Sequence, residues 1–457
     1  MIMYDLLIIG GGPAGYLAAE RAAHEKLSAA VFERRAFGGV CLNEGCIPSK
    51  TLLNSAKIYD YATGYGKKYG VSCDNPVLDY KAVIARKNKV VKTLISGIEA
   101  ALKAGKVEMV RESAAVTGSL PSGGFTVSAG GKTYEGKNLL LCTGSEPILP
   151  PIDGLKEAMA SGFGMTNREM LDMDVLPASM VVVGGGVIGL EMASVMLSAG
   201  VKVTVVEMLD RIANPTDREI AGILQKNYEK KGMTFILGAK VTKIEKDGVT
   251  FEKDGGTHSV PCEKVLFSIG RRASTAGLGL ENINVLTDRG AVVTDEQMKT
   301  NVPGVFAAGD INGKSLLAHT AYREAEVAVN ILCEKKDRME YNAIPSVIYT
   351  NPEVAGAGET AESAAAKGID VREVKLPMIY SGRYLAENEG GDGIAKLVLE
   401  EGTDRLIGVH MIGNPCSEII VAAAMAIERE MPLEALKKVV FPHPTVAEII
   451  REAVFMA

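Results

Sequence analysis

The chain of 457 residues is 47% apolar and 23% charged, with 50 glycines and a net charge of −6. That profile belongs to a multi-domain globular protein with a large buried core, and it excludes a disordered or collagen-like chain. Mild acidity without a long basic block excludes a nucleic-acid groove or a polybasic membrane patch as the working surface.

The chain opens MIMYDLLIIGGG. It lacks a basic leader and a small-residue cleavage site, so it does not read as a signal peptide. The apolar run is far too short to span a bilayer. The seven cysteines are odd in number, and only Cys41 and Cys46 lie close together. A secreted disulfide framework is therefore disfavoured. The expected location is the cytoplasm, with an organelle matrix left open.

Residues 6–9 read as a buried strand, followed by Gly10, Gly12 and Gly15 as G-x-G-x-x-G. A helical pattern over 14–26 and a strand over 29–32 come next, and the unit ends on Glu33. The first glycine allows a tight turn, the second admits a pyrophosphate, and the third lets helix and strand pack closely. The acid receives ribose hydroxyls. One such motif is weak evidence alone, but here the whole unit recurs. MVVVGGGVIGLEMASVMLSAGVKVTVVE carries Gly184, Gly186, Gly189 and Glu207. Gly10 to Glu33 and Gly184 to Glu207 are both 23 positions. Two dinucleotide sites are expected. Glu207 favours NAD over NADP at the second, because a carboxylate repels a 2′-phosphate. Arg211, four residues on, leaves that exclusion incomplete. Where the first copy has Leu17, the second has Glu191, a carboxylate that needs a partner or a task.

Between these units, residues 107–145 read as short strands with turns at PSGG and AGG, ending in LLLCTGSEP. Residues 236–270 repeat that style and end in VLFSIGRR. In 300–330, a short strand leads to Asp310, where a ligand hydroxyl would be met, and then to a helix. Residues 342–457 lack a nucleotide fingerprint and read as a separate α+β unit.

The ordered set GGGPAG, GGVCLNEGCIPSK, CTGSEP, GGGVIGLE, SIGRR, VFAAGD, LLAHTAYREAE, PSVIYTNPEVAGAGET and HPTVAE covers essentially the whole chain. It resembles the flavoprotein disulfide reductases that carry two dinucleotide-binding domains, and most closely their lipoamide-type branch. The resemblance implies an α/β protein: an FAD-binding domain over 1–145, an NAD-binding domain over 146–270, and a central domain over 271–341. A C-terminal α+β dimerisation domain over 342–457 follows. The implied activity is FAD-dependent oxidation of protein-bound dihydrolipoyl groups with reduction of NAD. The implied partners are a second copy of the chain and a lipoylated carrier or acyltransferase protein of a 2-oxoacid dehydrogenase or glycine cleavage complex.

The resemblance also implies cofactor contacts. Around FAD these are Glu33, Lys50, Ala114, Asp310 and the run Leu316, Leu317, Ala318 and His319. Around NAD they are Glu207, Val241, Gly270 and the second loop: Gly184, Gly186, Val187, Ile188 and Gly189. For the two cofactors together the set adds Gly10, Gly12, Pro13, Ala14, Gly15, Arg34, Gly39, Val40, Cys41, Thr143, Gly144, Ser145, Arg271 and Gly309.

The implied catalytic set is Cys41, Cys46, His443, Glu448, Lys50 and Glu191. Cys41 is the interchange thiol and Cys46 faces the flavin. His443, oriented by Glu448, acts as base from the other subunit. Lys50 and Glu191 pair near the flavin ring. In a regular helix the rise between the two cysteines is about 7.5 Å, already beyond the roughly 7 Å limit on disulfide Cα separation. A bridge therefore requires non-helical backbone, for which Gly45 is suited. Zinc is the competing reading of the pair, but structural zinc takes four ligands. No second cysteine pair follows, His410 and His443 are isolated, and no metal site is expected. Inert buried thiols are the bland alternative.

The chain departs from the family pattern at Val40, Glu44, Phe441, Pro442 and Ala447. Glu44 is expected to point outward. Within the enzyme class the rival is a glutathione-type reductase, which would prefer basic residues where Glu207 stands. Outside it, the rival is a flavoprotein redox sensor without turnover.

Overall fold

Both glycine motifs sit at the carboxyl end of a buried parallel strand, and the rest of the fold follows from that arrangement. The computed structural model describes residues 2–457. They form two compact units, one of residues 2–51, 85–148 and 270–339, the other of 52–84, 149–269 and 340–457.

In the first unit, Met3–Ile9 is the central strand. It pairs in parallel with Ala29–Phe32 on one side and Lys132–Leu141 on the other. Glu108–Val110 and Val305–Ala307 extend the parallel sheet at its two flanks. Leu6, Leu7 and Ile8 are fully buried, the continuous burial expected of a parallel strand covered on both faces. The predicted helix starts as expected but ends at His24, and Lys26 takes a left-handed conformation that turns the chain. This helix packs on Ala318–Leu332. Ala114–Ser119 and Phe125–Ala129 add an antiparallel meander to Lys132–Leu141, with turns at the PSGG and AGG stretches read from sequence.

The second unit repeats the plan. Ser179–Val183 is flanked in parallel by Lys202–Val206 and Lys264–Phe267, with Thr234–Ile236 and Gly164–Met165 outside them. Three antiparallel strands, Lys240–Ile244, Gly248–Lys253 and Gly256–Pro261, match the meander of the first unit. The C-terminal part adds a five-stranded antiparallel sheet ordered 346–348, 354–358, 406–412, 394–400 and 371–377. Helices Cys416–Glu428 and Glu448–Met456 pack on it. Among the described residues, no helix is long and apolar enough to cross a membrane.

Candidate active site

The two glycine loops are built alike. Gly10 has φ 110° and Gly184 φ 107°, each turning the chain out of its strand. A Cβ on Gly15 would overlap the Gly10 carbonyl, and one on Gly189 the Gly184 carbonyl. The second glycine faces space instead. Nothing lies within 4 Å of a Cβ at Gly186, and at Gly12 only the Gly39 Cα, at 3.7 Å. Helices Pro13–His24 and Val187–Ser198 start there with no side-chain cap and no acid in the first turn. Their leading N–H groups and dipoles therefore suit an anionic ligand, and pyrophosphate fits.

Glu33 accepts the Gly11 N–H at 2.8 Å and the Arg35 N–H at 2.7 Å. Glu207 accepts the Gly185 N–H at 2.6 Å and the Leu209 N–H at 2.7 Å. The two acids thus occupy equivalent places, each locked onto its own glycine loop. Val187 and Ile188 are exposed beside the second loop, and Val241 is buried in the second unit.

The cysteine pair lies in the first unit. Cys41 and Cys46 form a disulfide with Cα atoms 4.7 Å apart. The helical path does break, as the spacing requires: Gly39–Glu44 is one helix, Gly45 leaves it with φ −145° and ψ −114°, and Cys46–Thr63 is the next. A Cβ at Gly45 would stand 2.9 Å from the Val40 carbonyl oxygen and 3.3 Å from the Cys41 Cα. Glycine is required there for close backbone approach. Gly45→Ala should cost about 1–3 kcal/mol in a urea unfolding experiment, the usual range for forced overpacking. An unchanged midpoint would show that the break tolerates a side chain. Lys50 follows on the same helix, one turn after Cys46.

Glu44 does not point outward. It is 9% exposed, and its carboxylate lies 2.6 Å from the Arg35 guanidinium. Arg35 lies in the bend just before the cysteine-bearing helix, so that bend supplies the counter-charge that lets Glu44 fold inward. The negative charge between the two cysteines is accordingly compensated.

Three predicted cofactor residues converge elsewhere in the first unit. The Ser145 hydroxyl donates to Asp310, while Arg271 donates to the Ser145 hydroxyl and carbonyl, both at 2.7 Å. Burial pushes the Asp310 carboxyl up, and the Ser145 hydrogen bond partly offsets this. Thr143 is fixed by donating to the Ser274 carbonyl, and Arg34 pairs with Glu146. Ala114 opens its strand, and Gly144 and Gly270 both have positive φ. Leu316 is exposed just before helix Ala318–Leu332, which Leu317 leads and His319 continues, and this helix too begins without a side-chain cap.

In the second unit Glu191 is 3% exposed, and its carboxylate accepts the Tyr349 N–H at 3.0 Å. The buried acid thus has a backbone partner. His443 and Glu448 come together, with Nδ1 2.9 Å from Oε1. The other Glu448 oxygen accepts the Thr445 N–H at 2.9 Å. That bond, then the histidine, holds the Glu448 carboxyl below its ordinary range. The His443 side chain is 80% exposed in the single chain. Phe441 packs on the C-terminal core, and the Pro442 carbonyl accepts the Thr445 hydroxyl, so both departures have structural work.

Residues 4–325 match a family model described as pyridine nucleotide-disulphide oxidoreductase, and residues 344–454 match the dimerisation domain of the same family. The chain belongs to the pyridine nucleotide-disulphide oxidoreductases. It is 36% identical to the dihydrolipoyl dehydrogenase of Mycoplasma pneumoniae, over 98% of this chain and 97% of that one. It is 37% identical to that of Bacillus subtilis, over 99% and 98%. Among solved structures it is similar to LpdA from Mycobacterium tuberculosis, with a TM-score of 0.88 and 25% identity over 99% of both chains.

One element of this oxidoreductase site escaped the sequence reading. Glu324 is fully buried, and its carboxylate accepts the Gly309 N–H at 2.6 Å. It thereby fixes the turn that presents Asp310. The available signal was an acid on the same helical face as Ala321, Ala325 and Ala328, all buried. Lys50 belongs to the first unit, and Glu191, His443 and Glu448 to the second.

Proposed function

We propose that this oxidoreductase converts protein-bound dihydrolipoyl groups to lipoyl groups and reduces NAD+ to NADH. The observation that carries this reading is the Cys41–Cys46 disulfide, set at a glycine-made helix break in the unit bearing the first dinucleotide motif. A substrate thiolate attacks the sulfur of Cys41. The Cys41–Cys46 bond breaks, and Cys46 leaves as a thiolate. The second substrate thiol then attacks the substrate sulfur, closing the substrate disulfide and releasing Cys41. His443 accepts the thiol proton, with its tautomer fixed by Glu448. Bound FAD and NAD supply the chemistry of removing these two electrons and carrying them away as hydride.

Under the same proposal, the residues grouped above as cofactor contacts hold FAD at the first loop and NAD at the second. Lys50 and Glu191 are assigned to the catalytic set, and Lys50 would supply positive charge to stabilise a bound flavin as it gains electrons. The four domains are 1–145, 146–270, 271–341 and 342–457. The matched dimerisation domain carries exposed Val421, Met425 and Val440, and exposed Phe455 and Met456 follow directly after it. Burial of such apolar side chains suits a homodimer, which brings His443 to the other subunit's cysteines. The partner is a lipoylated carrier or acyltransferase of a 2-oxoacid dehydrogenase or glycine cleavage complex, in the cytoplasm or an organelle matrix.

The test mixes the purified flavoprotein with dihydrolipoamide and NAD+ and follows NADH absorbance. Steady NADH formation is expected. No NADH, together with reduction of glutathione disulfide by NADPH, would overturn the proposal in favour of the glutathione-type rival.

A further inference from the structure

Beside the second glycine loop the chain places Arg211, and Arg218 joins it through a shared carboxylate. An arginine there is what a 2′-phosphate-binding site uses, because guanidinium recognises phosphate through paired hydrogen bonds. The local backbone is fixed on both sides of Gly185. Its N–H is taken by Glu207, and its carbonyl accepts the Ala213 N–H at 2.8 Å. The segment carrying Arg211 is therefore tied to the same glycine that locks the ribose-facing acid.

Both arginines are already engaged, and the group that engages them comes from far along the chain. Arg211 donates to one Glu362 oxygen at 2.8 Å and to Asn214 at 2.9 Å. Arg218 donates to the other Glu362 oxygen at 3.1 Å and to Asp210 at 3.0 Å. One carboxylate thus bridges two guanidinium groups. Its own backbone is rigid: Glu362 sits in the first turn of helix Ala361–Ala366, where Thr360 and Ser363 form a reciprocal cap. Arg211 keeps only 17% of its side chain exposed. Arg211 foremost, with Arg218, also holds the Glu362 carboxyl below its ordinary range.

We propose that Glu362 is a specificity-determining residue for the nicotinamide nucleotide: it sequesters Arg211 and Arg218, so that Glu207 meets a ribose 2′-hydroxyl unopposed and NADP is rejected. The inference rests on reading the second glycine loop as the nicotinamide nucleotide site. Two arginines against Asp210 and Glu362 leave the carboxylate of Glu207 as the net charge facing the ribose. Neutralising Glu362 leaves the guanidiniums in excess and lets Arg211 turn toward a 2′-phosphate.

The experiment compares wild type and Glu362→Gln in dihydrolipoamide oxidation with NAD+ and with NADP+, reading the ratio of the two kcat/KM values. Glutamine keeps the shape and removes the charge. The NADP-to-NAD ratio should rise about tenfold, the scale of one charge-assisted hydrogen bond gained near the surface. The gain should shrink at high salt and vanish in Glu362→Gln combined with Arg211→Met. The ratio is internal to one sample, so partial loss of folded enzyme cancels. If Glu362→Gln does not fold, Asp210→Asn at an exposed position releases Arg218 and should give a smaller rise. An unchanged ratio in the variant that folds would overturn the proposal. Absence of dithiol oxidation in the wild type would instead sink the proposed function. The nucleotide lock would then be read from NADH and NADPH binding by fluorescence titration, where the same shift in preference is expected and its absence is fatal.

Discussion

Replacing Cys41 by serine is expected to lower dihydrolipoamide oxidation by about a thousandfold or more, the scale of removing a covalent-catalysis group, while the flavin stays bound. Exchange needs a sulfur that a substrate thiolate can attack and a second sulfur that can leave. The structure provides one such bond, and the other five cysteines are apart from it as free thiols. Cys142 is buried, and its thiol is pushed up by that burial, so it cannot substitute as a thiolate. Serine at position 41 fills the same space, but an alkoxide is inaccessible near neutral pH and forms no bond to Cys46. Folding should survive because Gly45, which makes the break between the helices, is untouched. The measurement pairs the rate of NADH formation with the visible flavin spectrum of the same sample. Retention of more than a few per cent of the rate, with flavin bound, would remove Cys41 from the role of interchange thiol.

The parts of the fold legible in the sequence are those governed by local periodicity and short-range sterics. The strand, glycine turn, helix, strand and acid of each dinucleotide unit lie within one continuous stretch, so their spacing carried the architecture. Gly45 was legible for the same reason, since two cysteines five residues apart cannot close on a regular helix. Side-chain contacts closed between separate elements were not legible. Glu44 turned inward because Arg35 meets it, and no pattern inside GGVCLNEGCIPSK announces that guanidinium. Glu324 reaches Gly309 across a turn and a helix start, and its neighbours read as ordinary core alanines. Arg211 reads in the sequence as a breach in NAD selectivity, yet Glu362, 151 residues away, occupies it. In each case a charge was visible in the sequence and its compensation was not.

His443→Gln should lower turnover by about a hundredfold to ten-thousandfold, the usual contribution of a positioned general base. Glutamine can still hydrogen-bond, but it cannot take a thiol proton. The Glu448 carboxylate would stay anchored by the Thr445 N–H, so the start of helix Glu448–Met456 should keep its geometry. A loss without change in the urea midpoint therefore separates chemistry from folding. The location of the base can be tested in the same protein. A Cys41→Ser subunit keeps its histidine, and a His443→Gln subunit keeps its disulfide. If each site takes cysteines from one chain and the histidine from its partner, a mixed dimer has one intact site. Random subunit exchange makes half the dimers mixed, so about a quarter of wild-type activity should return in a two-fold symmetric assembly. If cysteines and histidine of one chain serve the same site, every combination stays inactive. Exchange is checked independently by mass-tagging one subunit. Proven exchange without recovery would place His443 on its own chain's disulfide or outside the reaction, and recovery near one quarter would require the shared site.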